Sequence, residues 1–220
     1  MMVLGLTGSI GMGKSTAAAM LRRLGCPVHD SDATVHRLYA KGGAAVAGIA
    51  QAFPGVVRDG AVDRRLLSAE VVGNTPALRR LEAIVHPLVA RARDRFLRRA
   101  AASGAKVAVL DVPLLFETGG QVFCDRVAVV SAPAGLQRAR VLARPDMNPG
   151  KLAAILSRQM PDGEKRRRAD FVVPTGLGRA VTLRRLAGIV TVMAGQRGRV
   201  WPPAGPQIRG RRPLPRTKFR

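Results

Sequence analysis

The stretch "LGLTGSIGMGKSTAAAMLRRLG", Leu4–Gly25, decides the fold. A strand-like apolar run, Val3 to Thr7, gives way to a turn carrying Gly8, Gly11 and Gly13. Helical spacing then follows from Ser15 to Leu24 and stops at Gly25. Gly8, Gly13, Lys14 and Ser15 fit G-x-x-x-x-G-K-[ST] in the strand, turn and helix context that gives the pattern its meaning. Glycines let the backbone curl so that successive N–H groups face inward, and the helix N-terminus adds partial positive charge. Lys14 then reaches the β- and γ-phosphates, and the Ser15 hydroxyl ligates Mg²⁺. The natural occupant of such a loop is a nucleoside triphosphate.

Working outward, Pro27–Asp30 reads as a second strand, and "KVAVLDV" (106–112) and "RVAVVSA" (126–132) read as buried parallel strands. "DFVVP" (170–174) reads as a fifth. Helical patterns lie between them, notably Ala77 to Ala102, with arginines on one side and apolar residues on the other. The expectation is an α/β fold with a parallel sheet core, a helical substrate-binding insertion and a lid. The expected nucleotide-binding core takes 1–32, 104–137 and 169–196, and a helical acceptor domain takes 33–103. The arginine-dense 138–168, broken by "RPDMNPG", is the expected lid. Residues 197–220, rich in Gly, Pro and Arg, are expected to be a disordered basic tail.

The 220 residues carry a formal charge of +23, and eight of the basic residues, with no acidic one, fall in 197–220. The remainder is still basic, but only six of the 37 basic residues are lysine, which resembles a composition bias as much as a designed surface. A solvated face that attracts small polyanions is expected, with nucleic acid at most a nonspecific contact of the tail. Cys26 and Cys124 stand far apart, away from any metal-ligand spacing. No apolar run approaches membrane-spanning length and the amino terminus lacks a signal-peptide pattern, so a cytoplasmic location without a membrane partner is expected. No obligate protein partner is implied.

A phosphate-binding loop alone does not separate switches, motors and transferases. Neither Asn74 nor Asn148 lies in the N-K-x-D pattern that reads guanine, and a motor normally needs a longer core. A small core with a helical insertion and an arginine-bearing segment suits phosphoryl transfer to a small acceptor.

The set "GLTGSIGMGKST", "VHDSDATVHRLY", "DGAVDRRLL", "LEAIVHPLV", "VLDVPLLFETGG", "LQRARVLAR", "ILSRQM" and "RADFVV" resembles, in order, the dephospho-coenzyme A kinase family over residues 3 to about 192. The resemblance implies a P-loop kinase that uses ATP to phosphorylate the ribose 3′-hydroxyl of dephospho-coenzyme A. Two positions depart from it: Met12, read as an exposed loop position where the family often carries Ser, and Pro174–Thr175, near which the family often carries Asn.

By residue, the resemblance implies Gly11, Met12, Gly13, Lys14, Ser15 and Thr16 for ATP, beside Gly8 of the glycine motif, with Lys14 for the transferring phosphate and Asp32 for the acceptor hydroxyl. Asp30 and Asp32 both follow the second strand, where a carboxylate can orient a hydroxyl and take its proton, or can simply cap a turn. Arg140 and Arg144 lie four apart on one helical face and are expected to close on the phosphates with the lid, unless they form a solvated basic face. His86, before Pro87, is an acceptor contact or a structural donor. Asp111 is expected to hold Mg²⁺ through water or to brace Lys14, and Pro113 and Leu114 to wall the acceptor site, with Glu117 fixing a loop. Gln159, Asp125 and Asp170 are read as shaping lid and core. Another small-molecule P-loop kinase and an ATP-regulated nucleic-acid-binding protein both remain open alternatives.

Overall fold

The computed structural model describes residues 1–202. The chain opens with β1 (Met2–Thr7), α1 (Lys14–Arg23) and β2 (Val28–Asp30), followed by α2 (Ser31–Tyr39) and α3 (Val46–Ala52). A short hairpin, β3 (Val57–Arg58) and β4 (Ala61–Val62), precedes α4 (Arg64–Val71) and the long α5 (Thr75–Ala102). Then come β5 (Val107–Asp111), β6 (Arg126–Ser131), α6 (Ala134–Leu142), α7 (Pro149–Leu156), α8 (Asp162–Arg168), β7 (Phe171–Pro174) and α9 (Arg179–Ala194). These form two compact units, Met1–His29 with Ala100 onward, and Asp30–Arg99.

In the first unit the sheet order is β2-β5-β1-β6-β7, and the β1/β5, β1/β6 and β6/β7 ladders are parallel. β1 is buried at every residue, so both of its faces must be covered. On one face Leu4, Leu6, Val109 and Val130 pack with Leu21 of α1 and with Leu186, Ile189 and Met193 of α9. Val127 and Val129 turn the other way, onto Leu115 and Phe116. This alternation is the two-residue period of a strand buried on both sides. Because β2 and β5 lie on one side of β1 and β6 and β7 on the other, the strand order reverses at β1, and sheets of this kind bind ligands at the carboxyl ends beside such a reversal.

The second unit has its own core, built on Leu38, Ile49, Phe53, Val56, Leu67 and Val85. Its hairpin turns at Asp59 and Gly60, both with positive φ (51° and 77°), the pairing that lets a two-residue loop match strand twist. The "DG" dipeptide announces this turn, which the sequence reading passed over. The expected boundaries 33 and 103 shift to Asp30 and Arg99, so that Asp32 belongs to the second unit and not to the nucleotide core. The cause is local: Asp30 already caps α2, its Oδ1 accepting from Ala33 N at 2.8 Å.

Two further expectations are corrected. The ends of the 138–168 lid are built into the nucleotide unit: Val141 of α6 and Lys165 of α8 are fully buried. The tail does not begin at 197, because Asp125 Oδ1 accepts from Arg199 N at 2.6 Å and Val200 N at 3.0 Å. One carboxylate supplies the order that the segment's apolar content does not. The rest of the expected tail, 203–220, lies outside the described residues.

Candidate active site

The loop between β1 and α1 takes its form from two kinds of glycine. A Cβ on Gly8 would meet Val130 Cγ2 at 2.4 Å and Val130 O at 2.8 Å, so the chain leaves β1 closer to β6 than any side chain permits. Gly13, at φ 85°, is the N-cap of α1, and its left-handed turn brings the helix start round to face the loop. The first amides of a helix have no intrahelical partner, so those of Lys14, Ser15 and Thr16 stand at a positive helix end. Ser15 and Thr16 are exposed there.

Lys14 leaves this helix start and reaches Asp111 at the carboxyl end of β5, with Nζ 2.5 Å from Oδ1. The neighbouring strands dictate the pairing, since Leu6 of β1 stands in register with Asp111. Asp111 is 3 % exposed, so its charge requires a partner. Of the two roles expected for Asp111, bracing Lys14 is the one the structure displays. Its oxygen and the Ser15 hydroxyl are also hard donors of the type Mg²⁺ takes beside nucleotide phosphates, so this donor set fits that ion.

The outer side of the loop is held by side chains from three later elements. Gln137 Nε2 of α6 donates to Ile10 O at 2.8 Å, and Thr175 Oγ1, just after β7, donates to Met12 O at 2.8 Å. Gln159 Oε1 accepts from Ile10 N at 3.1 Å. Arg140 donates from Nη2 to Thr175 O at 2.7 Å and from Nη1 to Thr175 Oγ1 at 3.2 Å, and Nη1 lies 3.5 Å from Gly11 O. The expected swinging lid arginine is therefore an anchored one beside the phosphate loop, while Arg144 is exposed. Met12 is also corrected: it is 2 % exposed, and its Sδ accepts from Ala132 N at 3.1 Å.

Beyond β5, Pro113 O accepts from Thr7 Oγ1 at 2.9 Å and Lys165 Nζ at 3.3 Å, while Leu114 is exposed. Lys165 Nζ also lies 2.9 Å from Glu117 Oε1, which accepts from Met160 N as well. Burial alone would push the Glu117 carboxyl up, but the Lys165 ammonium and the Met160 amide bring it below the ordinary glutamate value. Asp125 Oδ2 accepts from Val3 N and Asp170 Oδ2 from Val127 N, so these two acids secure strand ends.

In the second unit, Asp32 lies exposed in the first turn of α2, next to the committed cap Asp30. His86 and Pro87 are exposed on α5. Arg64 Nη1 contacts His36 Nε2 at 2.9 Å, a pair the sequence reading left without a role. Sequence reasoning marks Thr175 only as a departure from the family pattern and gives Gln137 no role. Thr175 follows an apolar strand at its carboxyl end, which is a usable signal; Gln137 gave only a polar residue four before Val141 on an inward helix face.

A parallel sheet with this loop, a lysine braced across the first strand pair and a separate helical unit defines a P-loop phosphotransferase. The dephospho-CoA kinase family model matches residues 2–177. The dephospho-CoA kinase of Paramagnetospirillum magneticum is 64 % identical over 197 residues, spanning 90 % of this chain and 93 % of the relative. That of Mesorhizobium japonicum is 57 % identical over 198 residues, 90 % of this chain and the whole relative. Among solved structures, TT1252 from Thermus thermophilus is 36 % identical and aligns over 87 % of this chain and 96 % of its own, with a TM-score of 0.78. The dephospho-CoA kinase of Campylobacter jejuni, 21 % identical with a TM-score of 0.57, covers 87 % of this chain and 96 % of its own and shares the fold. The chain belongs to the dephospho-CoA kinase family.

Proposed function

We propose that this protein transfers the terminal phosphoryl group of ATP to the ribose 3′-hydroxyl of dephospho-CoA, completing coenzyme A. The observation that carries the chemistry is the Lys14–Asp111 pair at the mouth of the phosphate loop. Asp111 holds the ammonium at the carboxyl end of β5, so a cation is already placed where negative charge moves from the γ-phosphoryl to the leaving oxygen. The free amides at the start of α1 cradle the phosphates, and Arg140, anchored to Thr175, adds a fixed positive charge beside Gly11. Mg²⁺, bound by Ser15 and Asp111, would neutralise phosphate charge.

The acceptor oxygen forms a bond to the γ-phosphorus as the bond to the β,γ-bridging oxygen breaks, and ADP leaves. Asp32 orients the hydroxyl and receives its proton, a role that suits an exposed carboxylate with no cap to serve. His86, Pro113 and Leu114 contact the acceptor, and Arg144 reaches the triphosphate. The site of action is cytoplasmic; among the described residues no helix is long and apolar enough to cross a membrane.

The test is ATP consumption with dephospho-CoA, pantetheine, AMP and shikimate as acceptors, with the product mass recorded. Turnover with dephospho-CoA alone, giving coenzyme A, is expected. Comparable turnover with AMP or shikimate would move the protein to another acceptor class.

A further inference from the structure

The main chain of Ile10 is gripped from two helical segments that are far away in sequence. Gln137 Nε2 donates to its carbonyl at 2.8 Å, across 127 residues, and Gln159 Oε1 accepts from its amide at 3.1 Å, across 149. Ile10 lies in the middle of the phosphate loop, where a carbonyl turned inward would place a partial negative charge against the triphosphate. Gln137 holds that carbonyl outward. The amide of Ile10 points to Gln159, and that of Met12 to Ser9 O at 3.2 Å, so the inward cradle is left to Gly11, Gly13 and the start of α1.

We infer that Gln159, with Gln137 as its counterpart, is a positioning residue that sets the shape of the ATP-binding loop through Ile10. Its place in the chain gives the contact a second consequence. Gln159 closes the segment after α7, and its neighbour Met160 donates to Glu117, whose carboxylate also holds the fully buried Lys165. The end of the expected lid is thus fastened to the phosphate loop by one amide and to the loop after β5 by the next peptide. A neutral amide suits the position, because it supplies an acceptor oxygen without bringing a full negative charge near ATP.

The inference rests on the reading of the loop as an ATP site, and ATP binding alone tests it apart from the acceptor. In Gln159→Met the side chain keeps its length and loses the acceptor. The ATP dissociation constant measured by calorimetry without acceptor should rise about fivefold, the equivalent of one hydrogen bond of about 1 kcal/mol. The KM for ATP should rise with it, while kcat and the KM for dephospho-CoA stay within about twofold of wild type. Gln137→Met should act the same way. The double variant should lose less than the product of the two single effects, since both work through Ile10. If Gln159→Met does not fold, Gln159→Asn, one methylene too short to reach Ile10, takes its place with the same expectations. Unchanged ATP affinity, equal losses for both substrates, or fully multiplicative effects would overturn the inference. A wild-type chain that bound ATP but left dephospho-CoA unphosphorylated would overturn the functional reading and leave this one standing.

Discussion

The two units of the chain are held together in different ways. Around the phosphate loop the polar contacts span the sequence: Thr175 to Met12 across 163 residues, Gln159 to Ile10 across 149, Lys14 to Asp111 across 97. In Asp30–Arg99 they are mostly local. Asp30 caps Ala33, Asp63 caps Leu66 and Asn74 caps Ala77, each across three residues, and Arg64 to His36 spans 28. Asp63 is drawn below the usual carboxylate range mainly by the Leu66 amide, which is the same local capping seen electrostatically. Where phosphate geometry must be fixed, topology supplies side chains from β5, α6 and the segments after α7 and β7; where helices need only be ended and packed, neighbours and an apolar core suffice. Substitutions at the phosphate loop and its long-range partners should therefore act on ATP and its chemistry, and those at the local caps of the second unit on stability.

The largest break in this contrast should come from Lys14→Ala. The loop keeps its amide cradle but loses the cation facing the moving charge, so kcat should fall by about 10²-fold or more; the buried Asp111 carboxylate loses its Lys14 partner as well, so the melting temperature should fall too. A variant with near wild-type turnover would separate this loop from catalysis.

Lys165→Met sharpens the comparison on stability. It leaves the part-buried Glu117 carboxylate without its cation, a loss of about 1–3 kcal/mol, to be read from denaturant unfolding. The wild-type pair also has a pH signature. The folded Glu117 carboxyl is held below its ordinary value, so its stabilisation is complete above the usual glutamate range and is lost as pH falls through the lower folded value. Lys165→Met should flatten that acid limb of the melting curve. An identical acid limb in both proteins would show that the pair contributes nothing to stability.

The smallest effects belong to the carboxyl-terminal segment. A chain ending at Pro202 keeps the amides of Arg199 and Val200 on Asp125 and is the reference. One ending at Gln196 removes the amides on Asp125 and should melt a few degrees lower, about 1 kcal/mol for hydrogen bonds to a charged group, with kcat unchanged. Equal melting of the two truncations would mean that Asp125 gains nothing from Arg199 and Val200.

The division between local and long-range contacts also explains how much was legible in the sequence. Strand runs, the glycine pattern and the helix with Lys14 follow from period and turn chemistry, and they place the phosphate loop and Asp111 at strand ends. Local caps follow from the same rules: Asp30 reads as a cap or a proton acceptor, and the Asp59–Gly60 dipeptide marks a turn. Nothing local marks Gln137 or Thr175 as partners of Ile10 and Met12, because the link exists only when β7 and α6 come beside β1. Met12 was misread for the same reason, since its burial under Ala132 depends on a strand more than 100 residues away. Arginine density suggested a lid through charge, yet the burial of Lys165 beneath Glu117 is a property of packing.

In the proposed function the loop after β1 holds ATP and Asp32 directs the phosphoryl group to a hydroxyl. The most direct measurement is single-turnover transfer to dephospho-CoA by Asp32→Asn and Asp30→Asn, with ATP affinity measured by calorimetry on the same preparations. Asp32→Asn should bind ATP within about twofold of wild type and transfer about 10²-fold more slowly, because the amide can orient the hydroxyl but accepts its proton poorly. Asp30→Asn should transfer at nearly the wild-type rate, since its side chain serves the α2 cap. Normal transfer by Asp32→Asn, or a loss of ATP binding equal to its loss of rate, would contradict the account.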